Sequence, residues 1–582
     1  MPTETIFLKD AVKGYTLDLD KLIEPKETVR RFKEKIQSLN FHILENTIRI
    51  DNGRLNIPVY FSICGHDAVS VIGTKKQMGK GATPQQAEAS AVMELAERFS
   101  FFSFTKNADN FIIDTYRNLS KKAIPFELIA KSVHNELEDR RISQGIFETI
   151  PLKWTSAYNL TRDEKQLIPF DWFYAINEFN GPSAGNCVEE AICQGICEVV
   201  ERHVSAIVSR NHMKVQGIFI ESITDPKVFE LIEKYKSAGI RLSISDFSLG
   251  MGIPTVGVMA YDPTTFPGKS EIVWTAGTTP NPQKSLNRAL TEVAQLAGDF
   301  NTAANYVASG LPKLKRIEEA KFITHPESYI RISDLPDISN PNIRVEVDRC
   351  IRALADRKLE VLVVDTTHPM LEIPSFYTII PGAHFRERAM GKSVAMFCAK
   401  LILQNNDPKT AIIELKRMEK LLPEKYYIPF YIATGYISIG APETAMGYLR
   451  KSLRLGPNAQ DMPAIYSYMG ICLKDQEKYR EAIVVLRQGL QCDSDRTDLH
   501  NLIGFCHFKL KEHEKAIESF HKVLELDPSS AIDYANIASN YRDMNQKEKA
   551  IRYYEMALEL DPSIAFAREN LERLGKTFPI DR

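Results

Sequence analysis

Two segments, Ala89–Arg98 and Cys193–Arg202, repeat one pattern: Glu-x-x-Glu-Arg set in an otherwise apolar run. On a helix, Glu94 and Glu97 fall three positions apart, as do Glu198 and Glu201, so each pair shares one face. A carboxylate in such apolar surroundings is costly, or neutralises by shifting its pKa, unless an opposite charge offsets it. Arg98 and Arg202 supply part of that charge, but four carboxylates exceed two guanidinium groups. Hard oxygen donors without a histidine or cysteine cage suit Mg2+, which takes a few carboxylates and completes its shell with phosphate oxygens. Either copy alone reads equally as Glu–Arg pairing on an ordinary amphipathic helix. The repetition shifts the balance, because a third segment, Ser285–Gln295, carries Arg288, Glu292 and Gln295 with the same three-residue step and the same apolar filler. A nucleotide–Mg2+ site built from three helices is the reading.

At 582 residues the chain has room for two or more domains, and its net charge of −2 gives no reason to expect direct nucleic-acid or membrane binding. No apolar run approaches the ~18 residues of a membrane span, and the N-terminal residues lack the features of a signal peptide, so a cytoplasmic protein is expected. Nine cysteines with no CxxC pair fit reduced thiols rather than a disulfide framework. Cys193 and Cys197 are expected to fill core beside the acidic face; a metal or redox role is the alternative.

The C-terminal third is repetitive. Ala482, Ala516 and Ala550 stand 34 residues apart, as do Gly470, Gly504 and Ala538, and as do Ser494, Pro528 and Pro562. That is tetratricopeptide spacing, in which each unit is a pair of amphipathic helices. Looser units are marked by Ala411 with Pro423 and Ala445 with Pro457, again 34 residues apart, giving about five helix pairs and a final capping helix through Leu571 to Gly575. Such an array either exposes a concave face to a protein or peptide client, or braces a neighbouring domain.

The first two-thirds read as α/β. An apolar stretch from Ile48 to Val71 precedes Gly79-Lys80-Gly81-Ala82-Thr83-Pro84, read as a glycine turn, and then the first acidic helix. Similar strand-to-helix passages are expected at Phe170–Arg202, with Gly181–Gly185 as the turn, and from Ile253 to the Arg288 helix; Leu359–Asp365 reads as a buried strand. The Gly79–Gly81 stretch is suited to cradling an anion, but it lacks Walker A spacing, and no dinucleotide GxGxxG opens a helix.

The ordered series Gly79–Pro84 with Ser90, Glu94, Glu97 and Arg98, then Ser183–Asn186 with Glu190, Glu198, Glu201 and Arg202, then Arg288–Glu292, Val363–Asp365 and Ile380–Gly382 resembles the YcaO superfamily. With the appended repeats, the chain is similar to long stand-alone bacterial YcaO proteins. The resemblance implies an α/β YcaO-type ATP- and Mg2+-binding domain over 1–386, followed by an all-α tetratricopeptide-like domain over 387–582. It implies metal ligands at Glu94, Glu97, Glu190, Glu198 and Glu201, and ATP contacts at Lys9, Thr28, Ser90, Arg98, Ser183, Asn186, Arg202 and Arg288. Glu198, Glu201, Arg288 and Glu292 are the implied catalytic group, with Glu292 orienting Arg288 or a metal-bound water.

Enzymes of this family use ATP to phosphorylate an amide oxygen after nucleophilic attack, so the resemblance implies post-translational modification of a protein or peptide. The nucleophile sets the product: a Cys or Ser side chain, external sulfide or an amine. Azoline-forming members end in a proline-rich tail that reaches the active site; this chain ends in Gly575-Lys-Thr-Phe-Pro-Ile-Asp-Arg582, which argues against ring formation. The nearest relatives in architecture are linked to β-methylthiolation of a small-subunit ribosomal protein, beside a radical enzyme. An accessory scaffold, with the repeats holding the client and a sulfur-donor or radical-enzyme partner, therefore stands as the alternative to an amide-activating enzyme. Long family members also suggest a homodimer.

Overall fold

The structure, a computed structural model, describes residues 5–51, 53–133, 140–267, 270–300, 314, 316–385, 392–527 and 529–576. It divides into two compact units, one running to Val394 and the other from Ala395. The expected boundary at 386/387, Pro528 and the last six residues lie outside the described residues.

The first unit opens on α1 (Pro25–Ser38), followed by β1 (Leu44–Arg49), β2 (Val59–Cys64) and β3 (Lys76–Lys80), which form an antiparallel sheet in that order, and then α2 (Pro84–Lys106). Next come β4 (Ile112–Asp114), β5 (Leu152–Asn159), β6 (Glu164–Pro169), β7 (Pro182–Ala184) and α3 (Val188–Asn211). A second segment supplies β8 (Gly217–Ile218), α4 (Pro226–Ser237), β9 (Arg241–Asp246), β10 (Thr255–Tyr261), β11 (Val273–Thr278) and α5 (Pro282–Ala297). β12 (Tyr329–Ile330), α6 (Ile343–Ala355), β13 (Leu362–Asp365) and β14 (Ser375–Ile379) complete it. One sheet runs β11-β10-β9-β8-β12 and another β4-β5-β13-β14-β7, with β6 paired to β5.

These sheets set the three acidic helices. Val256, Val258 and Ala260 alternate along β10 onto one face, where they share a core with Leu286, Ala289, Leu290 and Val293 of α5. The third helix, α3, crosses β14, where a Cβ on Gly195 would come within 2.3 Å of Thr378 Oγ1. Two other glycines bring strand and helix equally close: a Cβ on Gly79 of β3 would meet Ala91 N of α2 at 2.0 Å, and one on Gly277 of β11 would meet Ser285 O of α5 at 2.2 Å. Thr83 caps α2 by accepting from Gln86 N–H, and Asn281 caps α5 by accepting from Gln283 and Lys284 N–H.

Some expected boundaries differ. The stretch from Ile48 to Val71 is a hairpin, β1 and β2, followed by a short helix, His66–Ile72. Gly79 lies inside β3 rather than in a turn, because its missing side chain is what admits α2. The passage before α3 begins with a helix, Phe170–Asn177, whose buried Phe170, Phe173 and Ile176 recur at helical spacing, and its strand shrinks to β7.

The helix Val394–Asn405 leads into Pro408–Leu421, and the described helices of the second unit then pair in sequence: Tyr427–Ser438 with Pro442–Arg454, Met462–Asp475 with Tyr479–Cys492, Thr497–Lys509 with His513–Leu526, and Ala531–Asp543 with Lys547–Leu560, before a last helix Ala565–Arg573. The small residues let partners meet: a Cβ on Gly470 would sit 2.3 Å from Leu486 Cδ2, and one on Gly504 2.7 Å from Phe520 Cε1. No helix among the described residues is long and apolar enough to cross a membrane.

Candidate functional site

α2, α3 and α5 enclose a polar cleft of about 260 Å³, closed on one side by the N-terminal segment around Lys21 and by the first turn of α1. α2 contributes Ser90, Glu94, Glu97 and Arg98; α3 contributes Glu190, Gln194, Glu198 and Arg202; α5 contributes Arg288, Glu292 and Gln295. On α3 the steps Glu190–Gln194–Glu198 are each four residues, one stripe along the helix.

Charge is unevenly compensated. Burial raises the Glu94 carboxyl above the usual range, against the pull of Arg98 and Lys80, and raises that of Glu97 well above it. Arg98 Nη1 lies 3.6 Å from Glu97 Oε1, and its guanidinium sits 5.4 Å over the Phe179 ring. Arg202 Nη2 is 3.9 Å from both Glu198 Oε1 and Glu201 Oε1. Arg98 Nη1 and Arg202 Nε are buried and donate no hydrogen bond.

Opposite them, Lys80 at the end of β3 forms an ion pair with Glu292. Burial, reinforced by Arg288, pushes the Lys80 ammonium down to about 7. Arg288 is gripped from two directions: its Nε donates to Glu201 Oε2 at 3.0 Å, and Gln194, with its amide oriented to suit both partners, accepts from Nη1 at 2.8 Å and Nη2 at 3.2 Å.

Not every expected residue joins the cleft. Thr28, Ser90, Asn186, Glu94, Glu97, Glu190, Glu198, Arg98, Arg202, Arg288 and Glu292 line it. Glu201 does not: its Oε2 also accepts Thr278 N–H at 3.1 Å, and it lies buried against β11. Ser183 is buried on β7 and donates to Phe376 O at 3.4 Å. Lys9 is exposed, its backbone N–H held by Glu189, and the lysine of the N-terminal segment that lines the cleft is Lys21, 3.5 Å from Glu190 Oε1.

Glu190 is itself well satisfied. It accepts from Leu22 N–H at 2.9 Å and from Asn186 Nδ2 at 3.0 Å, while Thr28 Oγ1 donates to Asn186 Oδ1 at 3.1 Å. Lys21 and Gln194 escaped the sequence reading. Gln194 was accessible to it, as the middle of the four-residue stripe; Lys21 sits in a segment without periodicity and left no signal.

The donor set fits a nucleotide with a hard cation. Carboxylate oxygens face buried N–H groups that lack acceptors, so anionic phosphate would satisfy the arginines while a divalent cation offsets the glutamates. No three of these carboxylates converge within 4.8 Å of one another among the described residues.

Residues 78–384 match the family model described as YcaO cyclodehydratase, ATP- and Mg2+-binding. The chain belongs to the YcaO family. ATP and Mg2+ are therefore the cofactors of its YcaO domain, and residues 495–563 match a tetratricopeptide repeat model.

An uncharacterized protein of Methanothermobacter thermautotrophicus is 28% identical over 388 residues, 62% of this chain and 94% of its own length. The ribosomal protein S12 methylthiotransferase accessory factor YcaO of Escherichia coli is 27% identical over 297 residues, 47% of this chain and 48% of its own. Among solved structures, YcaO from Methanopyrus kandleri bound with AMPPCP and Mg2+ superposes with a TM-score of 0.50 at 22% identity, covering 65% of this chain and 95% of that one. A heterocyclase in complex with substrate and cofactor gives 0.53 at 20% identity, covering 66% of this chain and 55% of that one. These two likenesses establish the fold of the YcaO domain; the chain spans about half the length of the heterocyclase and of the E. coli factor.

Proposed function

We propose that this protein is an ATP- and Mg2+-dependent enzyme that activates an amide, or a sulfur-transfer substrate, by phosphoryl transfer during modification of a protein or peptide. The observation that carries this reading is the cleft in which Glu94, Glu97 and Glu198 face arginine N–H groups without acceptors. Bound ATP with Mg2+ would supply the phosphoryl group that turns an amide oxygen into a good leaving group.

In this reading Glu94, Glu97 and Glu198 hold the cation, and Glu190 anchors the N-terminal segment over it. Thr28, Ser90 and Asn186 face the nucleotide, Arg98 and Arg202 its phosphates, and Lys21 takes the place that the sequence gives Lys9. Arg288, held rigid by Glu201 and Gln194, stabilises charge developing on the transferred group; Glu201 is a positioning residue rather than a ligand. Lys80, paired with Glu292, is placed to bind phosphate or exchange a proton near neutral pH. The tetratricopeptide units recruit the client, and the protein works as a cytoplasmic homodimer.

The second reading is an accessory role in β-methylthiolation of a small-subunit ribosomal protein, with a sulfur donor or radical enzyme as partner. The E. coli relative, an accessory factor of ribosomal protein S12 methylthiotransferase, favours it. The test is mass spectrometry of proteins captured by the full-length chain, with and without ATP, alongside phosphate release. Client-dependent ATP turnover with an ATP-dependent mass shift supports the enzyme; capture of a ribosomal protein with no turnover replaces it with the scaffold.

A further inference from the structure

A second stripe runs along α3 beside the acidic one. Cys193 and Cys197 stand four residues apart, each one position ahead of a cleft residue, Gln194 or Glu198, and they meet Cys350 of α6. The three Sγ atoms all lie within 4.8 Å of one another, and all three residues are buried. Among the described residues no other three Cys, His, Asp or Glu side chains converge in this way. Neither the nucleotide nor the proposed phosphoryl transfer uses them.

The spacing fits one ion. With metal–sulfur bonds of about 2.3 Å, three thiolates on a tetrahedral centre lie about 3.8 Å apart, so the cluster closes on a single cation by small side-chain rotations. An iron–sulfur cluster, whose cysteines ligate different irons, would need them spread more widely. Three sulfurs without a carboxylate or imidazole exclude Mg2+ and Ca2+ and select a thiophilic ion.

The surroundings supply a fourth position. Cys193 and Cys197 line a cavity of about 50 Å³ whose other walls include Lys21, Lys284, Arg288 and Glu346. Leu19, Lys21, Glu190, Gln194 and Arg288 line both this cavity and the nucleotide cleft. We infer that Cys193, Cys197 and Cys350 bind one Zn2+ ion, with its fourth position open to this cavity for water or a small anion. Binding replaces three S–H bonds with three S–Zn bonds and releases three protons, with no change of oxidation state. The site rests on its own residues and stands whether or not the cleft transfers phosphate.

The test uses the full-length chain, reduced, stripped with a chelator, reloaded with Zn2+ or Co2+ and desalted. The expected result is one Zn2+ per chain by elemental analysis and, for Co2+, thiolate charge-transfer absorption with tetrahedral ligand-field bands. Cys350→Ser and Cys193→Ala should each weaken Zn2+ binding more than about 100-fold, beyond the loss of an outer-shell partner. Their metal-free melting curves report whether the fold survives. Glu198→Gln, which probes the nucleotide reading, should keep its Zn2+, so failure of one reading is told apart from failure of the other. Absence of stoichiometric Zn2+ from the wild type, or Co2+ spectra without thiolate character, would overturn the assignment and leave three packed thiols.

Discussion

Glu201 Oε2 accepts two hydrogen bonds at once, from Arg288 Nε at 3.0 Å and from Thr278 N–H at 3.1 Å, and so ties α3 to β11 and α5. The carboxylate is 2% exposed, with Arg288 as its hydrogen-bonded charge partner and Arg202 at 3.9 Å. Removing one member of a buried pair costs about 3–5 kcal/mol, because the other charge stays behind. Glu201→Gln keeps an oxygen but loses the charge, and it should cost about 2–3 kcal/mol in denaturant unfolding. Turnover should fall by about 100-fold through loss of Arg288 positioning, as for other groups that stabilise transition-state charge. A variant with normal turnover would remove Arg288 from the catalytic group.

The acidic limb of nucleotide binding should belong to Glu97. Burial raises its carboxyl and that of Glu94. A carboxyl raised in the folded state adds stability below its unfolded value, and that contribution is lost as pH rises through the folded value. Ligand-free protein should therefore melt lower as pH rises above the usual carboxylate range, and Glu97→Gln should flatten that trend and melt higher at the upper end. The same ionisation makes Mg–ATP binding stronger with rising pH and coupled to proton release, which calorimetry in buffers of different ionisation enthalpy detects. Equal melting profiles for both proteins would contradict the assignment.

Lys80 should set the opposite limb. Its ammonium lies at about 7, lowered first by burial, so it is charged below that pH and neutral above. ATP affinity should decline as pH rises through about 7, and Lys80→Met should bind more weakly but without that decline. Binding isotherms across the range decide this; an alkaline limb that survives in Lys80→Met would assign it to another group.

The acidic helices were legible in the sequence because their signal is local: Glu94 with Glu97, and Glu198 with Glu201, stand out against apolar neighbours. The same locality hid the difference between them. Glu198 lines the cleft and Glu201 does not, although the same three-residue step leaves both Glu94 and Glu97 in it: Glu201 is held by Thr278 N–H of β11, a strand distant in sequence. Lys9, expected as an ATP contact, does not line the cleft, and Lys21 does. The N-terminal segment has no helical or strand period before α1, so nothing in it indicates that Lys21 reaches Glu190. The repeats were the most legible part, because each small residue meets a partner helix next in sequence, as Gly470 meets Leu486 and Gly504 meets Phe520.

That packing gives a test confined to the repeats. A valine at position 504 places its Cβ 2.7 Å from Phe520 Cε1, closer than a carbon contact allows. Overpacking of this kind costs about 1–3 kcal/mol. Gly504→Val should lower the unfolding transition of the repeat region in scanning calorimetry and reduce client capture, while ATP affinity stays within a factor of about two. Loss of ATP binding in a folded variant would mean that the repeats contribute to the nucleotide pocket.

The most direct measurement of the central claim is isothermal titration of Mg–ATP into the full-length protein and its Glu198→Gln variant. Glu198 lines the cleft beside Arg202 and has its partner at 3.9 Å, so the substitution removes one carboxylate ligand while leaving the α3 backbone its hydrogen bonds. The wild type should bind saturably and only with Mg2+, and the variant should lose at least about tenfold in affinity, equivalent to about 1.4 kcal/mol, with an unchanged melting profile in the absence of ligand. Equal affinity in both proteins, or wild-type binding indifferent to Mg2+, would contradict it.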